Sequence, residues 1–449
     1  MGSNGSKKPI NYLQMLGDVL LVNLGIVLSF WLRFGGNIPR SNFQSYINII
    51  PMVSVMTLLI FNFYGLYHTT RKTWSEIVAS LMASIAILTP LTIAVSYMVQ
   101  SFTFPRSVFL LSALLQLGVL CIWRRFILRW ERRLSVPKNA MIVTPAKEAD
   151  ELSKKAKANG YNIMALVTDS DIPNRKSVAK VGTYENFEEI YDLCEVDAVF
   201  MSGEVPEETK RLLAKRAFES GTQVYVIPSL YEIMLAGSRL DQISDTLVLE
   251  MGVALEPGKE QIKRLMDVIL ATVGLILTAP IMLIAAIAVK LDSAGPVFYR
   301  QERVSRGGKR FMVLKFRTMT DGAEKHTGPV LSQSNDPRVT RVGRVLRATR
   351  IDELPQLINV LKGDMSVVGP RPERPFFVEQ FEQEIPEYST RHTVKAGITG
   401  LAQVAGKYST SPEDKLKYDL LYAKSASPLM DLRIMLQTIK VVLMRDKAS

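Results

Sequence analysis

Asp352 and Glu353 stand side by side in the stretch RIDELPQLINVLKGD, just ahead of Pro355. A proline suits the first turn of a helix, where no backbone N–H is needed. Leu354, Leu357, Ile358 and Leu361 supply an apolar face for that helix. The two acids therefore fall at or near a helix N-terminus, where the macrodipole favours their ionised forms. An Asp near its usual pKa of about 3.9 is already a carboxylate at neutral pH. Taken alone, the pattern fits an ordinary N-cap equally well.

The cations nearby add a second signal. Arg347 and Arg350 precede Asp352, Lys315 and Arg317 lie in LKFRTM, and Arg371 is held between Pro370 and Pro372. Arginine makes bidentate hydrogen bonds to phosphate. Acids set among such cations suit a divalent metal, a phosphate substrate, or both. The available ligands are oxygens, so Mg²⁺ is favoured over zinc. A solvated surface salt network is the alternative.

These residues need elements to hold them. Four long apolar runs open the chain, near 12–32, 46–67, 77–99 and 107–123. Each approaches or exceeds the roughly 20 helical residues that cross a hydrocarbon core. They predict a four-helix transmembrane bundle over residues 1–134. Asp18 reads as an interfacial or packing residue rather than an intramembrane functional group. Lys7, Lys8, Arg71, Lys72 and the group Arg124, Arg125, Arg129, Arg132 and Arg133 place both ends of the bundle in the cytoplasm by the positive-inside rule.

Residues 135–250 alternate strand-like runs (NAMIVT, IMALVTD, DAVFMS, QVYVIPS) with helical ones. That alternation predicts a Rossmann-like α/β module with a parallel sheet. Its first turn reads Thr144-Pro145-Ala146-Lys147, without the glycines that admit a pyrophosphate. The module therefore reads as structural or dimerising, not cofactor-binding.

Residues 251–449 form the third segment. It contains the uncharged run VILATVGLILTAPIMLIAAIAV, 268–289. Pro280 interrupts that run, and basic residues flank it on both sides: Lys259, Lys263 and Arg264 before, Arg300, Arg303 and Arg306 after. A crossing would put one basic flank outside. The expectation is a re-entrant membrane helix over 265–290 that breaks at Pro280. A proline-kinked span is the alternative. The C-terminal run PLMDLRIMLQTIKVVLMR fits an interfacial helix or one packed on the core.

The composition agrees with a mixed membrane and soluble chain: 449 residues, 47% hydrophobic, net charge +12. Two cysteines, Cys121 and Cys194, make no disulfide framework. The scattered His68, His326 and His392 argue against a histidine metal site. No nucleic-acid module is recognisable, and the positive-inside bias accounts for part of the charge.

The motifs IKRLMDVILA, GPVFYRQERV, KFRTM, RIDELPQLINVLKGDMSVVGPRPE and AGITGLAQVAGK, in that order, resemble the bacterial sugar transferases, the polyprenyl-phosphate hexose-1-phosphate transferases. The bundle and the middle module resemble the larger members of that family. The resemblance implies a phosphoglycosyl transferase catalytic domain at the bacterial inner (cytoplasmic) membrane, facing the cytoplasm. It would move a hexose 1-phosphate from a UDP-sugar to undecaprenyl phosphate and release UMP, the first membrane step of exopolysaccharide, capsule or O-antigen assembly. It further implies Asp352 as nucleophile through an aspartyl phosphosugar intermediate, and Glu353 as an Mg²⁺ ligand that assists proton handling. Arg347, Arg371, Lys315 and Arg317 are the implied phosphate-binding residues. Two departures stand out: Thr278 where many relatives have serine before the re-entrant proline, and Leu401 where many have tryptophan. A catalytically inactive membrane scaffold or regulator of polysaccharide assembly is the competing reading, and homodimerisation is left open.

Overall fold

The computed structural model describes residues 7–67, 72–99, 105–134, 137–170, 179–236, 238–251, 257–320, 322, 336–406 and 410–444. Arg71, His68 and His326, singled out above, lie outside the described residues. The chain divides into two units, Met1–Ile227 and Pro228–Ser449.

The first unit opens with α1 (Lys7–Phe34), α2 (Arg40–Phe63), α3 (Trp74–Met98) and α4 (Arg106–Leu134). All four are long and apolar enough to cross a membrane. Pro51 and Pro90 lie inside α2 and α3, as membrane helices tolerate. Thr73 and Glu76 form a capping box at the start of α3. Small residues let α1 approach α4: a Cβ added at Gly17 would stand 2.5 Å from the Trp123 ring. Arg124, counted from the sequence as a flanking cation, is instead fully buried and paired with Asp18 at 2.5 Å. Asp18 thus has the packing role expected of it, with Arg124 as its counter-ion. Charges inside a bundle persist only when so paired.

The same unit continues with β1 (Lys138–Val143), α5 (Ala149–Ala158), β2 (Tyr161–Thr168), β3 (Lys180–Thr183), α6 (Phe187–Leu193), β4 (Ala198–Ser202), α7 (Glu207–Ser220) and β5 (Gln223–Ile227). The strands form one parallel sheet in the order β3-β2-β1-β4-β5. Central β1 is apolar on both faces because each face carries its own core. Met141, Val143, Phe187 and Leu213 pack on one. Ala140, Ile142, Leu152 and Ile163 pack on the other.

The second unit holds α8 (Leu230–Leu235), the hairpin β6 (Arg239–Ile243) and β7 (Thr246–Glu250), and the long α9 (Pro257–Asp292). There follow β8 (Phe298–Val304), β9 (Arg310–Phe316), α10 (Arg341–Thr349), α11 (Gln356–Lys362), β10 (Ser366–Val368), α12 (Pro375–Glu384), β11 (Gly397–Thr399), α13 (Leu401–Ala405), α14 (Pro412–Ser425) and α15 (Pro428–Val442). Among the described residues α9 is the fifth helix long and apolar enough to cross a membrane. It stays helical through Pro280, so the break expected at that proline is corrected: Pro280 lies inside one continuous helix, as membrane helices tolerate.

One side of α9 is bare and apolar, with Ile276, Leu277, Leu283 and Ile284 exposed. The other side carries the rest of the unit along its length. Near its start, Lys263 Nζ lies 3.1 Å from the Val368 carbonyl and 2.6 Å from Asp431 Oδ2. Asp267 accepts from Ser366 Oγ and Val367 N at 3.0 and 2.9 Å. Further along, Ala271 packs with Phe311 and Val360. Ala285 and Val289 pack with Phe316 and Leu346. The C-terminal run becomes α15, which buries Ile434 and gives Asp431 to Lys263. It packs on the core and also leaves Leu429, Leu432 and Val442 exposed.

Candidate active site

The acids are presented by a turn rather than by a helix N-terminus. Arg350 adopts φ 59° and ends α10 in the left-handed region, a conformation that costs a non-glycine residue and needs support from its surroundings. Residues Ile351–Glu353 then make one 3-10 turn, and α11 starts only after Pro355. The macrodipole of so short a helix is not what holds these carboxylates; neighbouring cations are.

α10 is set against the end of the β8–β9 hairpin by close backbone contact. Thr340 N donates to Thr318 O at 3.0 Å. Gly343 is required there: a Cβ would stand 2.1 Å from Thr318 O. α11 is bolted to β9 by Asn359, which accepts from Leu314 N at 3.0 Å and donates to Met312 O at 2.8 Å. These two attachments bring the turn that carries Asp352 and Glu353 next to Lys315 on β9.

Glu353 Oε1 receives Lys315 Nζ at 2.8 Å and Arg371 Nη2 at 2.9 Å, and Arg350 Nη1 lies 4.0 Å from Oε2. Burial works against the Glu353 carboxylate, but Arg371, Lys315 and Arg350 outweigh it and hold it well below the usual carboxylate range. Its partners respond in kind. Burial pushes Lys315 down, with Glu353 opposing. Glu353 pushes Arg371 up.

Asp352 differs. It is 8% exposed, and its Oδ1 is buried without a hydrogen-bond partner. Burial, then the Glu353 charge, raises its pKa to about 6 against the pull of Lys315, Arg347 and Arg371. Two adjacent carboxylates are thus driven apart: one locked as an anion, the other unpartnered and titrating close to neutrality. Such splitting is how acid pairs acquire distinct roles. The cations around the pair, Lys315, Arg347, Arg350 and Arg371, outnumber the two carboxylates, so the site favours an anion.

Of the residues expected from sequence, Asp352, Glu353, Lys315 and Arg371 come together, and Arg347 acts on Asp352 while its Nε donates to Thr318 Oγ1 at 2.8 Å. Arg317 does not join them. Its guanidinium donates to the carbonyls of Ser293 and Ala294 at 2.7 and 2.9 Å and closes the C-terminus of α9. Lys315 lies inside β9, whereas Arg317 follows the last residue of that strand. Lys315 meets the acids and Arg317 meets the helix end. Asn359, Arg391 and Asp419 were not singled out. Asn359 sits in the INVLKGD stretch, where a buried amide between apolar residues was the available signal.

The family described as "Bacterial sugar transferase" matches residues 258–445. A UDP-N-acetylgalactosamine-undecaprenyl-phosphate N-acetylgalactosaminephosphotransferase of Aeromonas hydrophila is 42% identical over 53% of this chain and 56% of its own length. The chain therefore spans just over half of that relative. A UDP-glucose:undecaprenyl-phosphate glucose-1-phosphate transferase of Klebsiella pneumoniae is 29% identical across 97% of this chain and 96% of its own length. One of the same name from Caulobacter vibrioides is 44% identical over 41% of this chain and 71% of its own length.

Proposed function

The chain belongs to the bacterial sugar transferase family, and from that premise we propose that it is a membrane phosphoglycosyl transferase. It moves a sugar 1-phosphate from a UDP-sugar to undecaprenyl phosphate, giving a lipid-linked sugar diphosphate and UMP. The observation that carries this reading is the split carboxylate pair: Glu353 clamped by Lys315 and Arg371, Asp352 beside it with an unpartnered oxygen.

In the first step Asp352 Oδ1 forms a bond to the phosphorus that bears the sugar. The bond from that phosphorus to the bridging oxygen breaks, and UMP leaves with the electron pair. In the second step an oxygen of undecaprenyl phosphate attacks the same phosphorus and releases the Asp352 carboxylate. Two displacements replace one. Arg371, Arg347 and Lys315 offset the charge of the diphosphate.

A divalent cation fits this donor set. Both short contacts to Glu353 fall on Oε1, and Oε2 has only the longer approach of Arg350 Nη1 at 4.0 Å. Among the described residues no group of three or more His, Cys, Asp or Glu side chains comes together. Glu353 would therefore hold Mg²⁺ with substrate oxygens completing the shell, as is usual for this ion. When bound, Mg²⁺ supplies further neutralisation of phosphate charge.

The fold supports a re-entrant α9. Lys263, before the apolar run, reaches the Val368 carbonyl; Arg303, after it, reaches the Pro372 carbonyl at 3.0 Å. Both flanks thus grip one short segment, and a straight crossing would separate them by the hydrocarbon thickness. By the positive-inside rule the basic flanks favour the cytoplasmic side of the inner membrane for that unit. The strand order of the middle module suits a Rossmann-like fold, and its first turn lacks the glycines that admit a dinucleotide's pyrophosphate.

The experiment is a UMP-release assay on purified full-length protein with undecaprenyl phosphate, a panel of UDP-sugars, and chelator followed by Mg²⁺. Release with at least one donor, stopped by chelator and restored by Mg²⁺, is expected. No release with any donor would overturn the transferase reading. Full activity under exhaustive chelation would overturn the metal assignment.

A further inference from the structure

The turn that carries Arg371 is built without a hydrogen-bond ladder of its own. Pro370 and Pro372 have no N–H to give. The four successive carbonyls from Pro370 to Glu373 are instead each taken by a donor from elsewhere. Gly397 N holds Pro370 O at 2.8 Å, and Val304 N holds Glu373 O at 3.0 Å. Between them, Arg391 Nη2 holds Arg371 O at 2.9 Å and Arg303 Nη1 holds Pro372 O at 3.0 Å.

The two guanidinium groups are themselves fixed. Arg391 is 4% exposed, its Nη2 lies 2.7 Å from Asp419 Oδ2, and its Nη1 donates to Tyr388 Oη at 2.5 Å. Arg303 Nη2 donates to Gln301 Oε1 at 2.6 Å. Burying an ion pair costs desolvation energy and seldom adds net stability over an apolar pair. Its use behind a single carbonyl points to placement rather than to stability.

We infer that Arg391, with its counter-ion Asp419, and Arg303 are positioning residues for the transfer reaction: they fix the backbone on either side of Arg371 so that its guanidinium meets Glu353. Neither touches the reacting atoms. The inference rests on the transferase reading above. A misplacement of about 1 Å in such a group can cost roughly 100-fold in rate, so the effect belongs in kcat.

Two independent lesions test it. Arg391→Met with Asp419→Leu removes both charges together and leaves no unpaired ion. Arg303→Gln removes the other grip and carries the test alone if the first variant does not fold. Each is compared with the wild type by thermal unfolding and by UMP release, in the native and in the Arg371→Ala background. The expected result is a loss of at least ~10-fold in kcat with KM for the UDP-sugar within about twofold. In the Arg371→Ala background the same changes should cost no more than about twofold, because the group they position is gone. An unchanged kcat in a folded variant, or an equal loss whether or not Arg371 is present, would overturn the inference. Failure of the wild type to release UMP would instead overturn the transferase reading.

Discussion

Arg371 donates from Nη2 to Glu353 Oε1 across 2.9 Å, joining two residues that stand 18 apart in the chain. That contact, with Lys315 on the same oxygen, turns Glu353 into a fixed anion. Glu353→Gln keeps the shape and removes the charge. Transfer should fall by roughly 100-fold or more, since two cations lose their counter-charge and a phosphate-compensating site is disordered. UMP release measured at saturating substrates checks this; activity within about threefold of wild type would count against a role for the pair.

Arg317 separates the structural from the phosphate-binding cations. It closes the C-terminus of α9, so Arg317→Ala should cost stability, about 3 kcal/mol for lost charge-assisted hydrogen bonds, and leave KM for the UDP-sugar unchanged in the folded fraction. Thermal unfolding in detergent and a Michaelis series give both numbers. A raised KM with no loss of thermal stability would return Arg317 to the phosphate site.

The acid limb of the rate profile should belong to Asp352. Burial and the neighbouring Glu353 charge raise its pKa to about 6. Above that value the carboxylate predominates and can attack; below it the neutral acid cannot. Therefore kcat/KM should fall about tenfold for each pH unit below the transition. A profile flat down to pH 4.5 would contradict the assignment, provided the protein remains folded there.

Both flanks of α9 should face one compartment. Lys263 is buried against Asp431, so the exposed Gln261 is the better labelling position, with exposed Lys309 for the far flank. Single cysteines there, in a background lacking Cys121 and Cys194, should react with a membrane-impermeant maleimide from the same side. Reaction from opposite sides would make α9 a true span.

The spans and the acid pair were legible because they depend on local sequence. An uncharged run of 20 residues has few alternatives, and Asp352–Glu353 among arginines is a rare juxtaposition. The middle sheet was legible for a similar reason: β1 carries an unbroken apolar run. What stayed hidden depended on distant contacts. Arg124 looks like any basic residue flanking a span until Asp18, 106 residues earlier, is seen opposite it. Lys315 and Arg317 are equivalent in KFRTM, and only the position of the α9 terminus separates their roles. The acids were placed at a helix start by Pro355, yet the left-handed turn at Arg350 moves them into the turn before it, a conformation no residue preference announces. Arg391 and Asp419 lie in unremarkable stretches and gain meaning only from the Arg371 carbonyl.

The most direct measurement is peptide mass spectrometry of full-length protein quenched in acid after exposure to a competent UDP-sugar and Mg²⁺ without undecaprenyl phosphate. The account predicts a phosphosugar adduct on the peptide containing Asp352, formed with release of UMP, lost on adding the lipid acceptor, and absent from Asp352→Asn. No adduct at Asp352, together with near-normal turnover of Asp352→Asn when acceptor is present, would contradict it.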